Sequence, residues 1–280
     1  MNSEFKVLEK DERSYLVAEP FEKLGVINGF SRRLGGVSSG KISGLNFGFR
    51  VGDDSDAVLE NYRLLAEDLG FDIRRGVCAR QMHTDNIRIV TENDCGKGIF
   101  QQESDIRDTD GLITNQRGIA LIIFSADCVP LLFYDPIKQV VAASHAGWRG
   151  TVLRIAGKTV RILMDEYGAD PRLMKAGIAP SIGPEAFEVG EEVVDAFREA
   201  GFEMSCILKR DADTGKAHID LWEANRLQLL TEGLSAGNIE LAGICTYAHL
   251  DEFFSARRLG IKSGRILSGI FLRGSSLFIQ

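Results

Sequence analysis

Two hydrophobic rhythms alternate along the chain. In "DAVLENYRLLAEDLG" the apolar residues Val58, Tyr62, Leu65 and Leu69 recur at helical spacing. This predicts an amphipathic helix with Asp56 as N-cap and Gly70 as the residue that ends it. Asn61 lies on the apolar side, one turn before Leu65, whereas Arg63 points elsewhere. From Ile119 the rhythm becomes short, dense apolar runs. Ala120 to Phe124, Leu131 to Tyr134 and Gln139 to Ser144 are strand candidates, with "DPIK" (Asp135 to Lys138) as a hairpin turn between the last two. A further helix is expected from near Thr151 to just before Gly168. One stripe of it runs through Val152, Ile155, Ala156, Thr159 and Leu163, and a second through Leu153, Val160 and Met164, so burial on two sides is expected. Helices also follow near Glu191 to Ala200 and Leu221 to Glu232, the second with Asp220 as N-cap.

The first fifty residues read as strand-rich. They include the glycine-dense segment "SRRLGGVSSGKISGLNFG" (Ser31 to Gly48), which either turns tightly or lets a backbone approach something closely. Strands and helices mix without strict βαβ alternation. The pattern points to an α/β protein of the α+β kind, with mixed sheets rather than a doubly wound parallel one. No internal repeat, low-complexity tract or Pro/Ser-rich linker divides the chain, so a single domain over residues 1–280 is expected.

Composition narrows the function classes. With 280 residues, 44% of them hydrophobic, the chain can bury a large core. A formal net charge of −7 and the absence of a basic block argue against broad nucleic-acid binding. The most apolar stretch, "GIALIIFSADCVPLLFY", contains Asp127 and Pro130 and is too short and broken to span a bilayer, so no membrane association is expected. The N-terminal residues alternate charged and apolar, unlike a secretory signal. Five widely spaced cysteines without C-x-x-C suggest no disulfide framework. The reducing cytoplasm is then the expected location, with most thiols buried as small hydrophobes. Monomer and homodimer are equally open.

Candidate chemistry gathers at strand ends. His83 in "QMHTDNI", Cys128 in "SADCVP" and His145 in "SHAGWRG" each sit at or near the end of a strand candidate, and strands that neighbour one another would let these ends converge. Two imidazoles and a thiolate suit zinc with an open fourth position, and the same set suits copper. Alternatively Cys128 is a nucleophile activated by His145, which leaves His83 idle. Asp127 is either a partner for a ligand histidine, a general base, or a turn aspartate bonded to its own backbone. Arg149 follows Trp148 and either binds an anion or stacks on a ring. Arg32, Arg33, Arg257 and Arg258 are further anion candidates. His218 and His249 read as structural or surface residues.

Taken together, "FSRRLGGVSSG", "LNFGFRVGDD", "ENYRLL", "QMHTDNI", "TDGLIT", "ADCVPLLFYDP", "SHAGWRG", "IAPSIGPEAFEVG", "IDLWEANRLQL", "CTYAHLDEFFSARR" and "GRILSGIFL" resemble, in order, the YfiH family. It is also called the laccase-domain or multicopper polyphenol oxidoreductase family. The resemblance implies a single domain with the cysteine-hydrolase-like fold shared with certain bacterial deamidating toxins. It implies metal ligands at His83, Cys128 and His145, with zinc as the metal. It also implies phosphorolysis of adenosine, inosine and methylthioadenosine, with adenosine deamination alongside. Family pocket positions match Asn46 and Arg149, expected to bind substrate, and Arg63 and Asp127, expected to join Cys128 and His83 in catalysis. Thr84, Tyr62 and Ala256 depart from the family pattern without touching a ligand.

Three functions follow from these residues. The purine nucleoside phosphorylase and adenosine deaminase reading takes nucleosides and phosphate as partners. Phosphate would rest on Arg149 and the start of the following helix near Thr151, and Asp127 is the carboxylate nearest in sequence for proton transfer. A copper-dependent polyphenol oxidase needs more histidine ligands than four histidines supply, if it is to carry the full copper set. A cysteine-type hydrolase editing peptidoglycan precursors would use Cys128 and His145 alone.

Overall fold

The computed structural model describes residues 4–100 and 104–274. Two six-stranded mixed sheets dominate it. The first runs, in spatial order, Phe5–Lys10, Arg13–Ala18, Val26–Ser31, Ile266–Leu272, Ala120–Ser125 and Gly76–Cys78. The second runs Ile239–Leu241, Lys175–Ile178, Val129–Asp135, Val140–Ala146, Gly111–Thr114 and Ile87–Ile89. A three-stranded sheet of Glu188–Val189, Ala217–Ile219 and Leu208–Arg210 completes the set. Most pairs are antiparallel, but Gly76–Cys78 pairs parallel to Ala120–Ser125, Ile87–Ile89 parallel to Gly111–Thr114, and Lys175–Ile178 parallel to Ile239–Leu241.

The dense apolar runs become strands covered on both faces. Along Val129–Asp135, Leu131 and Phe133 face a helical layer while Leu132 and Tyr134 face the first sheet. Along Ala120–Ser125, Leu121 and Ile123 meet the second sheet, and Ala120 and Ile122 meet the helix Ser55–Leu69. Side-chain alternation therefore stacks helix, sheet, sheet and helix, and the two sheets share the middle core.

The helix over Ser55–Leu69 buries Val58, Tyr62, Leu65 and Leu69 as expected and ends at Gly70 in the left-handed conformation. Its N-cap is Asp54, not Asp56. The Asp54 carboxylate accepts from the backbone N–H groups of Asp56 and Ala57, which places Asp56 inside the first turn. The helix expected from Thr151 is two helices, Trp148–Val152 and Ile155–Tyr167, broken where Arg154 adopts a φ of 66°. That break turns the second stripe outward. Only Val160 is buried, while Leu153 is 50% and Met164 37% exposed. The later helices run Glu191–Glu199 and Leu221–Thr231, and the Asp220 carboxylate accepts from Glu223 N at 2.9 Å. "DPIK" turns as expected, with Asp135 Oδ1 accepting from the N–H groups of Ile137 and Lys138.

The glycine-dense segment doubles back on itself. Leu45 N donates to Arg33 O, and a side chain at Gly44, whose φ is +118°, would begin 2.0 Å from that same oxygen. The fold-back delivers Phe47 to Val51 to the wall of the main cavity. The five cysteines are unpaired, as expected, but only Cys78 is fully buried and Cys206 is exposed.

Candidate metal centre

Each of the three candidate donors arrives on a different element. Cys128 immediately precedes the central strand Val129–Asp135. His145 lies on the neighbouring strand, opposite Pro130. His83 sits on the loop between Gly76–Cys78 and Ile87–Ile89, with a φ of 61°. One donor atom from each lies within 4.8 Å of the others. Cys128 Sγ is 3.7 Å from His83 Nε2, and the two imidazoles meet edge to face at 5.0 Å between ring centres.

The residue that orients the two histidines is Asp110, which sequence patterning missed. It directly precedes the strand Gly111–Thr114, whose register sets Gly111 opposite Ser144 and so carries Asp110 beside His145. Asp110 Oδ1 lies 2.9 Å from His145 Nδ1. The same carboxylate accepts from the backbone nitrogens of Met82, His83 and Thr84 and from the Thr84 hydroxyl. These bonds hold the His83 loop in its left-handed turn. They also leave His145 Nε2 as the nitrogen free to face the other donors. Thr84 thus adds a bond to the carboxylate that positions both histidines. The signal in sequence was only "TDGLIT"; its meaning depends on which strand pairs with which.

Charge is arranged around the thiol. Burial pushes the Cys128 thiol up, but the His145 imidazolium and hydrogen bonds from His145 and His83 bring it down to about 6. Burial lowers His145, but the Cys128 thiolate and the Asp110 carboxylate raise it to about 9. Burial opposes ionisation of Asp110, but the His145 hydrogen bond and the Thr84 and Met82 N–H groups hold it at about 2. A thiolate, an imidazolium and a carboxylate thus stand in line.

A cavity of about 470 Å³ opens onto the donors, within the range of small-molecule sites. His83, Cys128 and His145 line it with Phe47, Phe49, Phe124 and Ser125, and with Arg50, Arg80 and Arg265. Phe124 is fixed by Gln81, whose side-chain amide bonds to both its backbone N–H and its carbonyl.

The remaining sequence candidates lie elsewhere. Asp127 has a φ of 87° and turns its carboxylate away from the histidines. It accepts from the hydroxyls of Thr246 and Ser255 and from Arg257 N, tying three segments together. Arg63 is exposed and pairs with Glu60 at 3.1 Å. Asn46 is fully buried behind the wall. Its amide nitrogen bonds to Asp53, and its carbonyl oxygen accepts from Gly48 N and Arg265 N, so it braces two lining residues rather than lining the cavity itself. Arg149 is exposed and stacks on Trp148 at 4.3 Å, and neither lines the cavity. Thr151 is buried, with its hydroxyl taken by Asn225. Arg32 pairs with Glu252, Arg33 packs over Phe254, Arg257 over Phe187 and Arg258 over Tyr247. His218 bonds to Pro184 O, and His249 is exposed in a turn.

The donor set fits zinc. Metal bonds of about 2.3 Å to sulfur and 2.0–2.1 Å to nitrogen at a tetrahedral angle put the two donors roughly 3.6 Å apart, against 3.7 Å between Cys128 Sγ and His83 Nε2. It does not fit a full multicopper set. Of four histidines only His83 and His145 reach the centre, which leaves none for a second copper cluster.

Residues 27–273 match the family model described as multi-copper polyphenol oxidoreductase laccase. A purine nucleoside phosphorylase of Bacteroides thetaiotaomicron is 46% identical over 240 residues, covering 86% of this chain and 89% of the relative. Adenosine deaminase RL5, from an unknown prokaryotic organism, is 44% identical over 229 residues, covering 82% and 87%. The crystal structure of the hypothetical protein YfiH of Bacillus licheniformis superposes with a TM-score of 0.90 at 34% identity, covering 96% of this chain and 99% of the other.

Proposed function

The chain belongs to the multi-copper polyphenol oxidoreductase laccase family, and from that membership we propose a zinc-dependent purine nucleoside phosphorylase. It acts on adenosine, inosine and methylthioadenosine, with adenosine deaminase activity at the same centre. One observation carries this reading: the donors of His83, Cys128 and His145 lie within 4.8 Å of one another and line a cavity of nucleoside size. The relatives named for phosphorolysis and for deamination support the reaction class.

Zinc held by these three residues supplies Lewis acidity at an open fourth position. The chain's own groups do the positioning. Asp110 fixes the tautomer and tilt of His145 and the turn that presents His83. Phe49 and Phe124 line the cavity and give a purine base aromatic surface to pack against. The partners are then purine nucleosides and phosphate. The location is cytoplasmic, in keeping with unpaired cysteines and with no helix among the described residues long and apolar enough to cross a membrane.

A second reading rests on the alignment of Cys128, His145 and Asp110, which is that of a cysteine hydrolase. In that case peptidoglycan precursors are the substrate and metal is incidental. A product assay separates the two. Adenosine and inosine are each incubated with and without phosphate, and the products are resolved by chromatography. The proposal predicts free base and sugar phosphate only with phosphate, and inosine from adenosine regardless of it. Absence of turnover in every tube, with zinc bound, rejects it in favour of the hydrolase.

A further inference from the structure

Three arginines, Arg50, Arg80 and Arg265, are among the residues that line the same cavity as the candidate metal donors, and the described lining residues include no Asp or Glu. Arg265 is held in place by the chain around it. Its two terminal nitrogens donate to the carbonyls of Ser263, Gly264 and Ile261, and its backbone nitrogen to Asn46 Oδ1. Burial pulls the Arg265 guanidinium down, and the negative charges of Cys128 and Asp127 oppose that shift. Arg149, by contrast, lies outside the cavity and stacks on the Trp148 ring.

A second observation comes from Ser125, at the end of the strand Ala120–Ser125. It is 3% exposed, it lines the cavity, and its hydroxyl has no hydrogen-bond partner. Buried hydroxyls are nearly always bonded, so an unpartnered one at a cavity wall marks the place of a ligand's polar atom. Arginines and an unpartnered hydroxyl lining one cavity suit a tetrahedral dianion better than a neutral sugar.

We infer that Arg265, Arg80 and Arg50, with the Ser125 hydroxyl, form a phosphate subsite beside the metal donors. The shared chemistry is a phosphate dianion, either free or as the ester of a nucleotide. For the free ion the inference rests on the phosphorolysis proposed above and moves its phosphate from Arg149 into the cavity. An oxygen of hydrogen phosphate bonds to C1′ of the sugar as the C1′–N9 bond breaks. The bonding electrons leave with the purine, and the proton of hydrogen phosphate ends on the base, so sugar 1-phosphate and free base result. The guanidinium groups hold the nucleophile against the sugar while charge moves from phosphate to base.

The test uses the zinc-loaded full chain and the variants Ser125→Ala, Arg265→Lys and Arg80→Gln. Two readouts are taken: the rise in unfolding temperature with inorganic phosphate or adenosine 5′-monophosphate, and the KM for phosphate. Ser125→Ala removes no bond of the free protein, so it should unfold at the wild-type temperature while its phosphate KM rises about tenfold, the loss of one bond to a charged group. The arginine variants should raise phosphate KM further, with nucleoside KM within about twofold. Stabilisation by inorganic phosphate assigns the subsite to free phosphate, and stabilisation by the nucleotide alone assigns it to an ester. Phosphate binding that is lost in the variants without any nucleoside cleavage upholds the subsite and rejects the phosphorylase. Wild-type phosphate KM and stabilisation in folded Ser125→Ala and Arg265→Lys overturn the subsite, even where phosphorolysis runs.

Discussion

Asp110 and His145 are joined twice. The side chains meet at 2.9 Å, and His145 N donates to the Asp110 carbonyl at 2.7 Å. Because the same carboxylate also takes the N–H groups of Met82, His83 and Thr84, one residue fixes both histidines of the centre. Asp110→Asn should therefore weaken zinc binding by about 10–100-fold, the usual cost of losing a histidine's outer partner. It should also destabilise the chain by roughly 1–3 kcal/mol, since the partly buried N–H groups of the His83 loop lose a charged acceptor. Chelator competition and thermal unfolding measure the two effects, and wild-type zinc affinity in this variant would show that Asp110 does not orient the ligands.

Gly147 stands where the chain leaves the His145 strand. A Cβ there would lie 2.7 Å from His83 Cδ2 and 3.0 Å from Cys128 Sγ. Its φ of −67° is open to any residue, so Gly147→Ala strains no backbone and crowds only the donors. The variant should fold with little loss of unfolding temperature yet bind less than one zinc per chain. Metal analysis after dialysis against trace zinc tests this, and full occupancy would mean that the donors yield without cost.

The charge line around Cys128 has a pH signature. In metal-stripped protein the thiol, held at about 6, should be alkylated by iodoacetamide at a rate that stays high at neutral pH. The rate falls only as pH drops through about 6, where the thiolate takes up its proton. An ordinary thiol loses reactivity from about pH 8.5 downward. Peptide mapping by mass spectrometry separates Cys128 from exposed Cys206. Zinc should block the Cys128 reaction alone, and equal alkylation with and without zinc would remove Cys128 from the ligand set.

Asp127 and Arg63 should behave unlike catalytic residues. Asp127→Ala strands the Thr246 and Ser255 hydroxyls and Arg257 N, so it should lower stability by about 2–4 kcal/mol while leaving zinc stoichiometry at the wild-type value. Arg63→Ala removes an exposed pair with Glu60 and should change stability by less than about 0.5 kcal/mol and turnover hardly at all. A large loss of turnover in folded Arg63→Ala would restore it to the site.

What could be read from sequence divides by range. Helices with a single apolar face, such as Ser55–Leu69, and the run of strands from Ala120 were legible because their periods are local. The N-cap slipped by two residues because Asp54 and Asp56 are both competent caps and only geometry chooses between them. The break at Arg154 was invisible because no Gly or Pro marks it. The three donors were legible as residue types at strand ends, and resemblance made them specific. Asp110, Ser125 and Arg265 were not, because each reaches the site through pairings between strands distant in sequence. Conversely, Arg63 and Arg149 looked suitable as charges, yet the side chains of both point to solvent and a neighbour rather than into the cavity.

Zinc-dependent phosphorolysis at the His83, Cys128 and His145 centre, proposed above, can be assayed in one titration. The most direct test is to strip the protein of metal, add zinc in steps, and follow release of hypoxanthine from inosine in the presence of phosphate. Stripped protein should release none, and release should rise in proportion to zinc to a plateau at one zinc per chain. No such rise should occur in Cys128→Ser. Release from stripped protein at the plateau rate, or zinc-dependent release that survives the loss of Cys128 undiminished, would contradict the proposal.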